Sequence, residues 1–326
     1  MIAIISTNMD QSTSDVIDWL LFYQKDFIRI NETDEIRGCN VNVDNKNVSV
    51  ILNINGKELN LSEIDSIWFR RGHLNHSFPF SINSDICFLS DIANYLNRES
   101  VSLLDFIISI ISPTKRLGDY YHRNSNKLLS LNTAKKVGLD IPPTHVGTCK
   151  KEIIKFYEQY DNCISKDIQD TLYCEFENNI YYTMTSRFSA SNLKQIEEFF
   201  FPSLLQEEIE KKYELRIFYL KGEFFSMAIF SQQDNQTAID YRNYNETRPN
   251  RMVPYTLPQT IKQKLILFMD KMMLDSGSID MIVTPDNQYY FLEVNPVGQY
   301  DIFNLCNIFP DRVIAQYLLR KYYRSE

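Results

Sequence analysis

Apolar and polar positions change their spacing along the chain in a way that separates strands from helices. Ile2 to Ile5 is a short apolar run that ends in Ser-Thr-Asn, and within Asp15 to Phe22 the residues Val16, Ile17, Trp19 and Leu20 recur at helical spacing. Strand, loop and helix in that order open an α/β unit. Val48 to Ile54 alternates, and Asn55-Gly56 turns it into Lys57-Glu-Leu-Asn-Leu61, a hairpin signal. Ile64 to Gly72 reads as a further strand that ends on Arg70, Arg71 and Gly72. Residues 86 to 111 form a long apolar helical region closed by Ser112-Pro113, where the first domain boundary is expected.

A second unit starts with a helix around Asn126-Lys127, stopped at Gly138 and followed by the extended Pro142-Pro143-Thr144. Cys163 to Lys166 is a short strand ending on a lysine. Two alternating stretches flank Asn178-Asn179, and the region 171 to 190, rich in Tyr and Phe, has two readings: an ordinary sheet of this unit, or an edge to which a peptide adds as a strand. Tyr213 to Leu220 and Glu223 to Phe230 make a hairpin about Lys221-Gly222. Residues 258 to 275 are an amphipathic helix whose Ile261, Leu265, Phe268, Met269 and Met272 form a core face. Gly277 to Thr284 and Tyr289 to Tyr300 are strand-like around Pro285-Asp-Asn-Gln288, and Val313 to Tyr322 is a final helix. The divisions are 1–112, 113–205 and 206–326, without internal repeats or low-complexity segments.

Composition narrows the classes. A chain of 326 residues, 44% hydrophobic and 23% charged, fits two or three packed units of a globular protein. The 34 basic and 42 acidic residues leave a net charge of −8, which argues against nucleic acid or an anionic membrane as the main partner. Cys39, Cys87, Cys149, Cys163, Cys174 and Cys306 are scattered with no C-x-x-C pair, so neither a zinc site nor a disulfide scaffold is indicated. Met1 to Ile5 is too short and its sequel too polar for a signal segment, and Asp105 interrupts the apolar run from Leu103 to Ile111. A cytoplasmic location with reduced thiols is expected.

The chemistry gathers at the last hairpin. If it is regular, with Pro285 opposite Gln288, Asp280 lies opposite Glu293, and Asn295 points to the same face two residues on. Opposed carboxylates repel unless a cation lies between them, and Asp, Glu and Asn oxygens without Cys or His suit Mg²⁺, with Mn²⁺ as the alternative. The other reading is two polar residues on the wet face of an edge hairpin. Only nine glycines occur, none spaced as a Rossmann fingerprint or a P-loop, so a bound nucleotide would rely on metal and on Lys127, Lys166, Arg216 and Arg242. Each of these alone is an ordinary surface cation; their order along the chain is the informative part. Arg70 and Arg71 can meet an anionic substrate from a strand end, and alternation sends them to opposite faces, one to act and one to support. His73 and His76, with no helix to align them, read as solvated loop residues.

Phe291-Leu-Glu-Val-Asn-Pro-Val-Gly-Gln299, Lys211-Lys-Tyr-Glu-Leu-Arg-Ile-Phe-Tyr-Leu220, Trp68-Phe-Arg-Arg-Gly72, Asn126-Lys127 and Gly277-Ser-Ile-Asp280 resemble stretches of ATP-grasp ligases. The likeness is fuller to the peptide maturases of grasp-with-spasm systems, relatives of the microviridin-type (graspetide) ligases. It implies an α/β (α+β) protein with the ATP-grasp fold: an N-terminal pre-ATP-grasp domain, a small central domain and a C-terminal grasp domain. It also implies roles. Lys127 and Lys166 would hold ATP phosphates, and Gln206, Glu207, Glu208 and Ile209 would form the hinge strand against adenine. Glu214 would bind the ribose hydroxyls, Arg216 and Arg242 would face the γ-phosphate and the acyl phosphate, and Asp280, Glu293 and Asn295 would bind Mg²⁺. The chain departs from the pattern at Asp167, where many relatives carry proline, and 167–185 holds no glycine for a phosphate-covering loop.

The implied activity joins Asp or Glu side chains of a precursor peptide, with leader and core segments, to Ser/Thr hydroxyls or Lys amines. The resemblance also implies a SPASM-type partner encoded nearby and is compatible with a homodimer. Phosphoryl transfer to a carboxylate needs charge neutralisation and alignment, not an enzyme nucleophile, which agrees with the lack of a Ser/His/Asp or Cys/His set. Two alternatives stay open: a ligase that adds free amino acids to a protein or small acid, and a non-catalytic nucleotide-binding module.

Overall fold

The computed structural model describes residues 1–76, 89–111, 116–121, 126–160, 162–169, 171–177, 179–234, 236–243 and 245–320. The boundary expected at Ser112-Pro113, Cys87, Asn178 and the start and end expected at 86–88 and 321–322 lie outside these residues. The chain forms two compact units, Met1–Arg123 with Phe309–Glu326, and Asn124–Ile308.

In the first unit β1 (Ile2–Ser6) leads through α1 (Gln11–Phe22) to β2 (Phe27–Asn31), and β3 (Glu35–Val43), β4 (Val48–Ile54), β5 (Lys57–Asn60), β6 (Ser66–Phe69), β7 (Asn75–His76), α2 (Leu89–Ile110) and β8 (Arg116–Leu117) follow. One sheet is parallel, in the order β2-β1-β6-β8; the other runs β5-β4-β3-β7. Asn55 and Gly56 both have positive φ, the primed two-residue turn that matches strand twist, and Ile54 pairs with Lys57 across it as expected. Ile5, Ile30, Ile36, Val50, Leu52 and Ile67 share one core. His76 is not in a solvated loop: it pairs in parallel with Ile36 and is half-buried, because β3 offers its edge there. The last helix, α7 below, begins at Pro310 instead of Val313, with proline at the first turn where its missing N–H costs nothing. It packs on α1, and Trp19 Nε1 donates to Asp311 Oδ2 at 2.7 Å.

The second unit contains α3 (Lys127–Lys136), β9 (Thr144–Cys149), α4 (Lys150–Gln159), β10 (Cys163–Lys166), β11 (Tyr173–Phe176), β12 (Asn179–Tyr182), β13 (Ser186–Phe188), α5 (Ala190–Gln195) and β14 (Phe199–Glu207). It continues with β15 (Tyr213–Leu220), β16 (Glu223–Phe230), β17 (Arg251–Pro254), α6 (Gln259–Lys271), β18 (Ser276–Val283) and β19 (Tyr289–Asn295), before α7 (Pro310–Leu319) returns to the first unit. A four-stranded sheet runs β13-β10-β14-β9, and β11 with β12 forms a two-stranded sheet apart from it. The largest sheet is β17-β16-β15-β18-β19. Leu215, Ile217, Ile279, Met281, Val283, Phe291 and Val294 face α6, whose Leu265, Phe268 and Met269 are fully buried. Burial of such side chains stabilises by about 1.5–3 kcal/mol apiece, so packing rather than propensity holds this helix. Alternation, interrupted in β19 by one extra residue at Leu292, then sends Glu214, Arg216, Asp280, Ile282, Tyr290 and Glu293 to the other face.

Candidate nucleotide and metal site

Asp280 pairs with Glu293, as a regular hairpin predicts, but by another route. The turn is one residue longer than expected: Thr284 donates its N–H to Gln288 O, Asn287 takes the left-handed conformation, and Val283 pairs with Tyr289. An irregularity between Asp280 and Met281 then absorbs Leu292 as an extra residue and restores the pairing. Arg216 lies opposite Asp280 on the other side, so one row across β15, β18 and β19 reads Arg216, Asp280, Glu293.

That row explains how two carboxylates share a half-buried surface. Arg216 Nη1 donates to both Asp280 oxygens, at 2.7 and 2.8 Å, and Nη2 to Gln299 O at 3.4 Å. Glu293 faces Lys127 Nζ at 3.5 Å and Arg242 Nη1 at 3.9 Å. Both distances exceed a hydrogen bond, so the Glu293 oxygens keep lone pairs available. Burial pushes the Asp280 carboxyl up, and the neighbouring Glu293 charge adds to this against the pull of Arg216. Burial also opposes ionisation of Glu293, but Lys127, Lys166 and Arg242 together hold it below the ordinary glutamate range. Lys166 is pushed down to about 8, chiefly by burial and by the charges of Lys127 and Arg242, with Glu293 acting the other way. Lys127 Nζ also donates to Asp167 O at 3.2 Å. The structure therefore brings Lys127, Lys166, Arg216, Arg242, Asp280 and Glu293 together.

The oxygen donors fit a hard ion. Asp280 and Glu293 present carboxylates, and Asn295 lies on the same strand, its Oδ1 accepting from the N–H groups of Val297 and Gly298 at 3.1 and 3.3 Å. Among the described residues no three His, Cys, Asp or Glu side chains form a self-sufficient metal cage. Two carboxylates and an amide oxygen suit an ion bound through one or two carboxylates and completed by phosphate oxygens.

Other expected residues take more varied places. Gln206 is fully buried and donates to Thr144 Oγ1 at 2.7 Å, so its side chain braces β14 against β9. The N–H groups of Glu207 and Glu208 go to Pro143 O and Asn162 O, and the Glu208 carboxylate makes a two-point pair with Arg187 at 2.8 Å. Glu207, Glu208, Ile209 and Glu210 line a cleft of ≈ 440 Å³ with Asn162, Thr284, Pro285, Asp286 and Tyr290. The buried Glu214 lies on the sheet face of Ile282 and Tyr290, next to Arg216 along its strand. Cleft, Glu214 and the charged row follow one another along a single face.

Arg70 and Arg71 lie in the first unit, where both meet Asp10, at 3.1 and 3.4 Å. Arg70 is buried beside Trp68 and Ser12, whereas a third of the Arg71 side chain is exposed. Asp240 joins the residues that the sequence pointed to: it receives Arg242 Nε and Nη2 at 2.9 and 2.6 Å and so aims that guanidinium. The Asp-x-Arg spacing was the available signal.

No protein-family model matches the chain, and no curated protein does. Solved structures do. A RiPP-associated ATP-grasp ligase of Chryseobacterium gregarium, in complex with ADP and a leader and core peptide, is 25% identical with a TM-score of 0.82, covering 99% of this chain and 97% of that one. The macrocyclase MdnC of Microcystis aeruginosa MRC, bound with precursor peptide MdnA, is 27% identical at TM-score 0.75, covering 98% and 99%. The ATP-grasp ligase PsnB, complexed with a phosphomimetic precursor variant, Mg and ADP, shares the fold at 13% identity and TM-score 0.69, covering 98% and 97%. The fold is that of the ATP-grasp ligases. Within that class the chain resembles the RiPP-associated, graspetide-type ligases.

Proposed function

We propose that this chain is an ATP-dependent ligase acting on a ribosomally made precursor peptide, closing side-chain rings as esters or amides. The observation that carries this is the Arg216, Asp280, Glu293 row with Lys127, Lys166 and Arg242 gathered on Glu293. Four cationic side chains around one carboxylate pair suit a triphosphate and its metal, and no side-chain nucleophile is needed. ATP is the nucleotide and Mg²⁺ the metal; the ion, when bound through Asp280, Glu293 and Asn295, supplies charge neutralisation at the phosphates. A substrate Asp or Glu carboxylate attacks the γ-phosphorus and ADP leaves. A Ser or Thr hydroxyl or a Lys amine then attacks the acyl phosphate carbonyl and phosphate leaves. Lys127 and Lys166 hold the phosphates, Arg216 and Arg242 face the transferred group, and the cleft at Glu207 to Ile209 receives the base.

The leader segment docks on the β11–β12 hairpin in this reading. Its two strands form a separate sheet, and Tyr173, Phe176, Ile180 and Tyr182 are each more than half exposed. An apolar hairpin with open edges is suited to strand addition. Arg71, the more exposed of the arginine pair, is assigned to a substrate carboxylate. The resemblance to grasp-with-spasm maturases supports a SPASM-type partner and is compatible with a homodimer, and the unpaired spacing of the cysteines supports a cytoplasmic location. Among the described residues no helix is long and apolar enough to cross a membrane. The test is ADP release on adding precursor peptide to enzyme and Mg²⁺-ATP. It should be lost in Glu293→Ala and in Asp280→Ala; retained turnover in both folded variants would refute the site.

A further inference from the structure

Glu214 is held by one oxygen only. Lys211 Nζ meets Oε1 at 2.8 Å, and Ser231 Oγ donates to the same Oε1 at 2.7 Å. The direction of the Ser231 proton is fixed, because Gln232 Nε2 donates to its oxygen at 3.2 Å and a carboxylate can only accept. Lys211 is itself tied down by Ile239 O at 2.7 Å. Ser231 is fully buried, and the Lys211 and Glu214 side chains are 7% and 10% exposed. Oε2 receives no hydrogen bond from the described residues, and burial raises the carboxyl's proton affinity while Lys211 and Ser231 counter it.

Such a carboxylate is turned into a one-sided acceptor. Its two supports saturate the inner oxygen, stop the side chain from rotating and leave the outer oxygen with lone pairs for two O–H donors. It stands two residues before Arg216 on β15, about 7 Å along the strand at about 3.4 Å per residue, with the cleft of the hinge residues beyond it. A sugar between a base in the cleft and phosphates at the charged row would bring its vicinal hydroxyls to this oxygen.

We propose that Ser231 and Lys211 are positioning residues that set Glu214 to select a ribonucleotide, by its vicinal diol, over deoxy analogues. This rests on the reading that Glu214 meets the ribose, and the test separates the two. Dissociation constants for Mg²⁺-ADP, 2′-deoxy-ADP and 3′-deoxy-ADP are measured by titration calorimetry on the full chain. A hydrogen bond to a charged group contributes about 1.5–3 kcal/mol, so wild type should prefer ADP by about tenfold or more. Glu214→Gln should lose most of that preference. Ser231→Ala and Lys211→Met should each lower it severalfold, weakening ADP, which gives Glu214 two hydroxyls, more than the deoxy analogues, which give it one, and Lys211→Arg should restore it. Preference lost in Glu214→Gln but kept in both Ser231→Ala and Lys211→Met overturns the positioning role alone. Equal weakening of all three nucleotides in both variants overturns it too, as a general structural defect. Preference kept in Glu214→Gln overturns the ribose reading and the proposal with it.

Discussion

Arg216 and Asp280 form the one contact in the charged row with two short hydrogen bonds, and its worth can be measured without nucleotide. The side chains are 7% and 15% exposed, so water screens the pair little. Removing one partner of a buried pair costs about 3–5 kcal/mol, because the other charge is stranded. The neighbours make the two removals unequal. Arg216→Met leaves Asp280 facing Glu293 with one fewer cation, whereas Asp280→Asn leaves Arg216 with Glu293 still in its field. Arg216→Met should therefore cost more than Asp280→Asn, and the double variant should fall short of the sum by about 2 kcal/mol or more. Urea unfolding of the ligand-free protein is followed by far-UV circular dichroism, since Trp19 and Trp68 both lie in the first unit and their fluorescence would miss the site. Additivity within about 0.5 kcal/mol, or a larger cost for Asp280→Asn, would refute the reasoning.

Tryptophan fluorescence serves a prediction in the first unit. Burial opposes ionisation of Asp10, but Arg70, the Thr13 hydrogen bond and Arg71 hold its carboxyl below the ordinary aspartate range. Its stabilisation is therefore complete above the unfolded-state pKa of about 3.9 and fades as pH falls through the lower folded value; fluorescence-detected unfolding should show this slope at acid pH and Asp10→Asn should flatten it, while an unchanged slope would contradict the pairing. On the β11–β12 hairpin, Ile180→Ser with Tyr182→Ser should weaken leader-peptide binding severalfold and leave stability within about 0.5 kcal/mol, as both side chains are more than half exposed. Fluorescence anisotropy of a labelled leader measures this, and an unchanged affinity would move the docking site elsewhere.

Periodicity located the strands and helices because each has one buried face. The Asn55-Gly56 turn and the α6 core face stand where the pattern put them. The Asp280–Glu293 pair was legible for an incomplete reason: a longer turn and an extra residue at Leu292 offset each other, so the regular register gives the same pair. Lys127 meeting Glu293 joins residues far apart in the chain, which spacing cannot convey and only the resemblance suggested. Gln206 stands at the end of β14 next to the cleft residues, and its side chain turns inward to Thr144, a direction that sequence does not give. Lys211 and Ser231 carry no chemical motif of their own, because their contacts are with another side chain, Glu214.

The central claim is that the charged row activates peptide carboxylates for ring closure. Incubating the protein with Mg²⁺-ATP and the precursor peptide encoded beside it, then weighing the peptide by mass spectrometry, tests this directly. One water should be lost for each ring, dependent on ATP, with no loss in Glu293→Ala. A peptide of unchanged mass while ATP is bound and the protein is folded would contradict it.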